Sequence, residues 1–277
     1  MKTPILLTLL LAAQLAHAEN SDTAQCDRAA DPLHPGNPSG VRGVEQPPRF
    51  DDDNTAWDAL RLACENSYAA HPDTPRYAYQ LARLYQARDY NVSAEKYLKT
   101  AAEQGDPLAQ NAYGNTLNDQ GYDGSEWLEK AAAQNIPEAQ YHLALLLLDA
   151  KHGLNITALN KTPVTSERKR GVELLTRAAE AGVPEAQAML AALYHHGVKD
   201  VLEKDNGKHI AWQEKAAEKI AYTAYLTGEG YETGLEGFPA DCEKAKYWYQ
   251  KAHDLDANYP QSPSRDLCAP KTASAKK

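Results

Sequence analysis

Along the middle of this chain the apolar positions fall three and four residues apart, and the pattern that carries them recurs. "DPLAQNAYGNTL" begins at Asp106, "IPEAQYHLALLL" at Ile136 and "VPEAQAMLAALY" at Val183. In the last of these, Ala186, Met189, Leu190 and Leu193 share one helical stripe. A second string recurs between and beyond them: "YLKTAAEQG", "WLEKAAAQN", "LLTRAAEAG", "WQEKAAEK" and "WYQKAHDLD". Counted at Thr100, Lys130, Arg177, Lys215 and Lys251, the steps are 30, 47, 38 and 36 residues. Periods of this size predict stacked helix pairs. The first helix of a pair opens on Pro75, Pro107, Pro137 or Pro184, where the missing N–H costs nothing, and Asp106 is placed to cap one of them. The second sets Tyr97, Trp127, Trp212 or Trp248 four residues before Ala101, Ala131, Ala216 or Ala252, so a large ring and a small Ala share a stripe. Gly105 and Gly182 are expected to end their helices in a left-handed turn. The fold class expected is all-α: an α/α solenoid of about five helix pairs.

At these residues the chain resembles the Sel1-like repeat family, relatives of the tetratricopeptide repeats. Ala186-Gln187, Leu190, Tyr194 and Gly197 match the family's first helix, and Trp212, Lys215 and Ala216-Ala217 its second. The resemblance covers roughly residues 68 to 257 and implies a scaffold or adaptor that binds another protein on its concave first-helix surface and its loops. Three stretches depart from the pattern. Lys151 to Ser166 is an insertion where a short turn belongs. Trp212 to Gly228 lacks the usual Gly-x-Pro turn, so either two helices fuse or a tight turn forms near Lys219. Gly228 to Cys242 is Gly-rich, acidic and aromatic. The chain divides into a leader over 1–18, an extended arm over 19–53, the repeats over 54–257, and a C-terminal segment with a disordered tail over 258–277. "DNTAWDALRLACENSYAA" within this scheme reads as a capped helix with Trp57, Leu60 and Cys64 on one face.

The leader fixes the expected compartment. Lys2, the apolar run Ile5 to Ala13 and Ala16-His17-Ala18 form a secretory signal, with the mature chain starting near Glu19 and lying in the periplasm or beyond it. Exported thiols oxidise, and Cys26, Cys64, Cys242 and Cys268 allow three pairings. Two lie near each end with none between, so Cys26–Cys64 and Cys242–Cys268 are expected to tie the two termini. The net charge of −9 argues against nucleic acid or anionic lipid as partner and favours a basic protein.

Catalytic chemistry was sought on the same terms. Ser93 to Lys96 and Ser166 to Lys169 both fit Ser-x-x-Lys, but no Ser-Asp-Asn or Lys-Thr-Gly accompanies them, and solvated helix starts explain them better. His195 and His196 are adjacent on a helix and point about 100° apart, so they read as an exposed pair at a helix end, not as metal ligands. No enzyme activity, cofactor or metal is expected. Sixteen Tyr against two Phe is the suggestive bias, since Tyr anchors interfaces with one wet end. Trp127, Trp212 and Trp248 are assigned to the core. The residues expected at a partner surface are Tyr113, Tyr141, Tyr194, His195, Tyr225, Tyr231, Asn155, Glu229 and Glu232. The whole resembles exported Sel1-like proteins that act as immunity factors against type VI secretion phospholipase effectors. An envelope scaffold with several partners, or a β-lactamase-like or cell-wall enzyme, is the alternative.

Overall fold

A computed structural model describes residues 21–27, 54–149 and 166–261. The leader, the Pro-rich arm, the insertion with Asn155, Cys268 and the tail lie outside the described residues. The chain divides into two compact units, Met1–Ile136 and Pro137–Lys277. In the first, α1 (Asn54–Ala70), α2 (Pro75–Gln86), α3 (Asn91–Glu103), α4 (Pro107–Asp119) and α5 (Ser125–Ala133) each pack on the next helix in the chain. In the second, α6 (Pro137–Leu147), α7 (Ser166–Glu180), α8 (Pro184–His196), α9 (Asn206–Ala217), α10 (Ala221–Thr233) and α11 (Cys242–Leu255) do the same. This is the helix-pair packing of an α/α solenoid.

The repeated Pro-x-Ala-Gln acquires a physical explanation here. Pro opens α2, α4 and α8, and the Asp106 carboxylate caps α4 by accepting the Ala109 N–H at 2.8 Å. Ala109, Ala139 and Ala186 are fully buried at helix contacts. The Gln that follows reaches back across the turn: Gln110 Nε2 donates to Ala102 O at 3.2 Å, and Gln187 Nε2 to Ala179 O at 3.1 Å. Each bond adds a second donor to a carbonyl at the end of the preceding helix that already accepts the N–H of the turn glycine, Gly105 or Gly182, and so pins the next helix to that turn. The turns themselves need positive φ: Gly105 (+93°) and Gly182 (+100°) supply it, and Asn135 (+61°) takes the same place between α5 and α6.

Between α9 and α10 a turn over Glu218–Ile220 separates two helices, so the stretch from Trp212 to Gly228 is not fused. The core assignment of the tryptophans needs correcting. Trp248 is buried, but Trp127 and Trp212 are half-buried, and Lys130 and Lys215 lie over their rings with Nζ 4.4 and 3.9 Å from the centroids. The lysine three positions along covers the outer face of each ring with its own stem.

At the N-terminal end Cys26 and Cys64 form a disulfide, as the local pairing predicts. It ties the short helical turn over residues 21–26 to α1 and closes a loop of separation 38 residues, a constraint on the unfolded chain contributing about 4 kcal/mol. Trp57, Leu60 and Cys64 are all buried on one face of α1. Gln80 and Asp27 complete this junction, Gln80 Nε2 donating to Asp27 Oδ1 at 3.2 Å. Cys242, at the start of α11, is also disulfide-bonded.

Candidate protein-interaction face

The sequence-derived residues divide into three sets once placed. Tyr113 and Tyr231 are buried. Tyr113 packs edge-on against Trp127 with centroids 5.4 Å apart. Tyr231 keeps its hydroxyl in a polar knot, donating to Glu214 Oε1 at 2.7 Å and accepting from Lys244 Nζ at 2.9 Å. Both are packing residues between helices, and Tyr231 joins the polar surface only through that knot. Tyr141, Tyr194 and His195 are half-buried and lie elsewhere on the second unit. Burial and the nearby Glu185 carboxylate push the Tyr141 phenol up, while the Lys208 ammonium covers the Tyr194 ring at 5.0 Å.

The third set converges. Positions 222, 225, 229 and 232 fall on one stripe of α10 by helical spacing. There Tyr225 Oη donates to Glu229 Oε1 at 2.8 Å, and Tyr249 Oη, from α11, donates to Glu232 Oε2 at 2.8 Å. The rings of Tyr225 and Tyr249 meet edge-on at 5.5 Å, and Tyr259 closes the far side 5.7 Å from Tyr225. Tyr222 continues the stripe into solvent, 57% exposed. The hydrogen bond to Glu229 and then burial raise the Tyr225 phenol; burial and then the bond to Glu232 raise that of Tyr249. Both therefore stay protonated as donors through the physiological range.

A phenol is neutral, so its hydrogen bond orients a carboxylate without cancelling the charge. The face thus sets the half-buried Tyr225, Glu229 and Glu232 beside the exposed Tyr222, with the buried Tyr249 supporting them from α11. Along its flank Glu218 accepts from Lys251 Nζ at 2.6 Å and from Tyr247 Oη at 3.3 Å, with Tyr247 itself 53% exposed. The lysine bond is the main cause that holds the Glu218 carboxyl below its ordinary range. Sequence reading picked out Tyr225, Glu229 and Glu232 but missed Tyr222, Tyr249 and Tyr259. The i,i+4 spacing of Tyr225 and Glu229 was the available signal; the partners on α11 are set by tertiary packing, which no local spacing records.

Catalytic geometry is not assembled around the two serines. Ser166 is exposed at the start of α7 and its Oγ donates to Glu167 Oε2 at 3.3 Å. Ser93 lies in the first turn of α3. Among the described residues no group of three His, Cys, Asp or Glu side chains is placed to hold a metal ion, and no helix is long and apolar enough to cross a membrane.

A stack of helix pairs with tyrosine-rich outer faces and alanine-lined contacts is a repeat scaffold of the kind that binds other proteins. The chain belongs to the Sel1 repeat family, which matches residues 75–106, 126–136, 162–183, 184–219 and 221–256. Sel1 repeats mediate protein–protein interaction. Chitin synthase regulatory factor 3 of Schizosaccharomyces pombe is 34% identical over 135 residues, 47% of this chain and 13% of that protein. The crystal structure of a Sel1 repeat protein from Oxalobacter formigenes aligns with TM-score 0.56 and 25% identity over 72% of this chain and 57% of that one. Immunity protein Pa5087 from Pseudomonas aeruginosa aligns with TM-score 0.50 and 14% identity over 86% of this chain and 83% of that one, a likeness of fold. The chain thus spans a small part of its curated relative and somewhat over half of the Oxalobacter protein.

Proposed function

We propose that this chain is an exported, non-catalytic protein that binds a single basic partner through the α10–α11 face, and that the partner is a toxic phospholipase effector of type VI secretion which it neutralises. The observation that carries the reading is the pair of phenol-held carboxylates, Tyr225–Glu229 and Tyr249–Glu232, beside the exposed Tyr222. Tyrosines anchor interfaces at low entropic cost, and fixed anions beside them select a cationic surface. A phospholipase that must hold a phosphate ester presents such a surface around its cleft. Export is supported by the Lys2 to Ala18 pattern and by the oxidised Cys26–Cys64 pair, which suits an oxidising compartment. Pa5087 carries the fold under the description of an immunity protein, so the architecture is compatible with that role.

The test is capture from the native envelope with the mature protein as bait, followed by mass spectrometry of what stays bound and by affinity measurement on the purified pair. The expected result is one stoichiometric phospholipase, inhibited on binding, with Glu229→Gln/Glu232→Gln weakening the complex tenfold or more. Several sub-stoichiometric envelope proteins would replace the immunity reading with the scaffold one. Tight binding indifferent to the double variant would move the interface off this face.

A further inference from the structure

Three histidines of the second unit meet where α8, α9 and the loop after α10 come together. His195 and His196 end α8, their rings 4.5 Å apart; His209 of α9 lies 4.7 Å from His195 and packs edge-on against Phe238 of the loop at 5.5 Å. His196 is exposed, but His195 is half-buried and His209 is only 3% exposed, so the pair expected at the surface is one outward and one inward ring. His209 Nδ1 lies 3.0 Å from the Ala191 carbonyl oxygen, which can only accept, so Nδ1 holds the proton and Nε2 carries the lone pair. That Nε2 is buried and has no partner, and neither has the buried His195 Nδ1.

Two buried imidazoles with bare ring nitrogens are stable as neutral groups and costly as cations. They also meet the loop after α10: His209 packs on the ring of Phe238, His195 packs on His209, and the charge of Glu236 lies near enough to act on both imidazoles. Phe238 is 4% exposed and packs on Tyr231 at 4.9 Å. Around it the loop is exposed from Thr233 to Gly237, with Leu235 65% accessible and positive φ at Gly234, Glu236 and Gly237. His209 and Tyr231 flank the Phe238 ring, Gly230 lies against it and Asn206 against Gly237, so one side of the loop's buried anchor is a histidine ring.

We propose that His195 and His209 form an acid-sensitive latch that holds the 234–240 loop against α8 and α9 at neutral pH and releases it on acidification. Burial lowers both imidazoles from their ordinary value, first among the causes in each case. The charged neighbours do not reverse this: from α8, His196 opposes a proton on both; from the 198–205 segment, Lys204 opposes one on His195; from the loop, Glu236 favours one on both. On the far side Tyr231 joins Glu214 and Lys244 to each other rather than to the histidines. The open state has imidazoles of ordinary affinity and binds more protons than the closed one. Closure is therefore strongest above pH 6.5 and weakens as the pH falls below it, by up to about tenfold per imidazole at pH 5.5.

Hydrogen exchange of the full chain at pH 7.5 and 5.5, corrected for intrinsic rates, reads this directly, because carboxylates stay ionised throughout the window. Protection of the 234–240 amides should fall tenfold to a hundredfold while that of α2 and α3 holds. His195→Gln, on the more accessible ring, should flatten the dependence, and His209→Gln should flatten it further. As a check free of mutation, the His195 and His209 ring carbons followed by NMR in the unmodified protein should titrate with the same midpoint as the loop amides. Unchanged loop protection in the unmodified protein, or an equal pH dependence in His195→Gln, would overturn the latch; so would imidazole titration with no matching change in the loop.

Discussion

Glu65 shows how much one carboxylate can set at the scale of single residues. It accepts from Tyr85 Oη at 2.9 Å and from Arg61 Nη1 at 2.7 Å, beside a Tyr85–Tyr97 stack with an interplanar angle of 2°. Burial and then the Glu65 bond push the Tyr85 phenol up to about 12. The sign of the linkage follows: in the unfolded chain this phenol ionises near 10, so above that pH the folded state retains a proton that the unfolded state has lost. Its contribution is intact below pH 10 and is lost as the pH climbs toward 12. Absorbance at the tyrosinate band should show the Tyr85 phenol within a group of late-titrating tyrosines, and Glu65→Gln should move about one phenol equivalent of that group toward 10. If Glu65→Gln leaves the late-titrating amplitude unchanged, the Glu65 bond does not form in solution. The same chemistry recurs in Tyr225–Glu229 and Tyr249–Glu232, where half-buried carboxylates lie beside the exposed Tyr222, which is what turns a packing device into a candidate recognition surface.

Among the helix elements, α4 and the start of α5 come into close backbone contact at Gly114 and Gly124. A Cβ on Gly124 would collide with the Gly114 carbonyl oxygen and lie 2.7 Å from its carbon, and both are backbone atoms that cannot swing aside. Gly124→Ala should cost about 3 kcal/mol, an overpacking penalty at the upper end for small-to-large changes, seen as a lowered urea midpoint. Gly121→Ala is the control: φ is +86° but nothing lies within 4 Å, so only the backbone penalty of about 1 kcal/mol applies. Equal losses in the two variants would mean that α4 and α5 can separate to make room. The helix pairs, their Pro starts, the Asp106 cap and the glycine turns were all legible in sequence because each is encoded within a few residues. Gly114 and Gly124 were not, since close approach depends on which helices face each other. The Cys26–Cys64 pair was legible from its isolation at one end of the chain. The half-burial of Trp127 and Trp212 was hidden, because a lysine three positions on reads as an ordinary solvated charge. The His195–His209 contact bridges two helices and a loop, and the local spacing of His195-His196 pointed only to an exposed pair.

For the whole molecule the decisive quantity is the excess of 38 Asp and Glu over 29 Lys and Arg. An acidic body steers a basic partner toward it from beyond contact distance and discourages pairing with its own copies. That field is a sum over the surface, whereas the Tyr225–Glu229 and Tyr249–Glu232 pairs act at short range once the partner has docked. The two contributions separate by salt. Raising the ionic strength from 0.05 to 0.5 M shortens the screening length from roughly 14 Å to roughly 4 Å, so it should slow association with the captured partner at least tenfold while leaving dissociation nearly constant. Glu229→Gln/Glu232→Gln should do the reverse, speeding dissociation and keeping most of the salt dependence of association. Stopped-flow binding of both proteins across that salt range measures all four rates. If the double variant abolishes the salt dependence, two side chains and not the whole acidic surface supply the steering, and the candidate face becomes the only charged determinant of recognition.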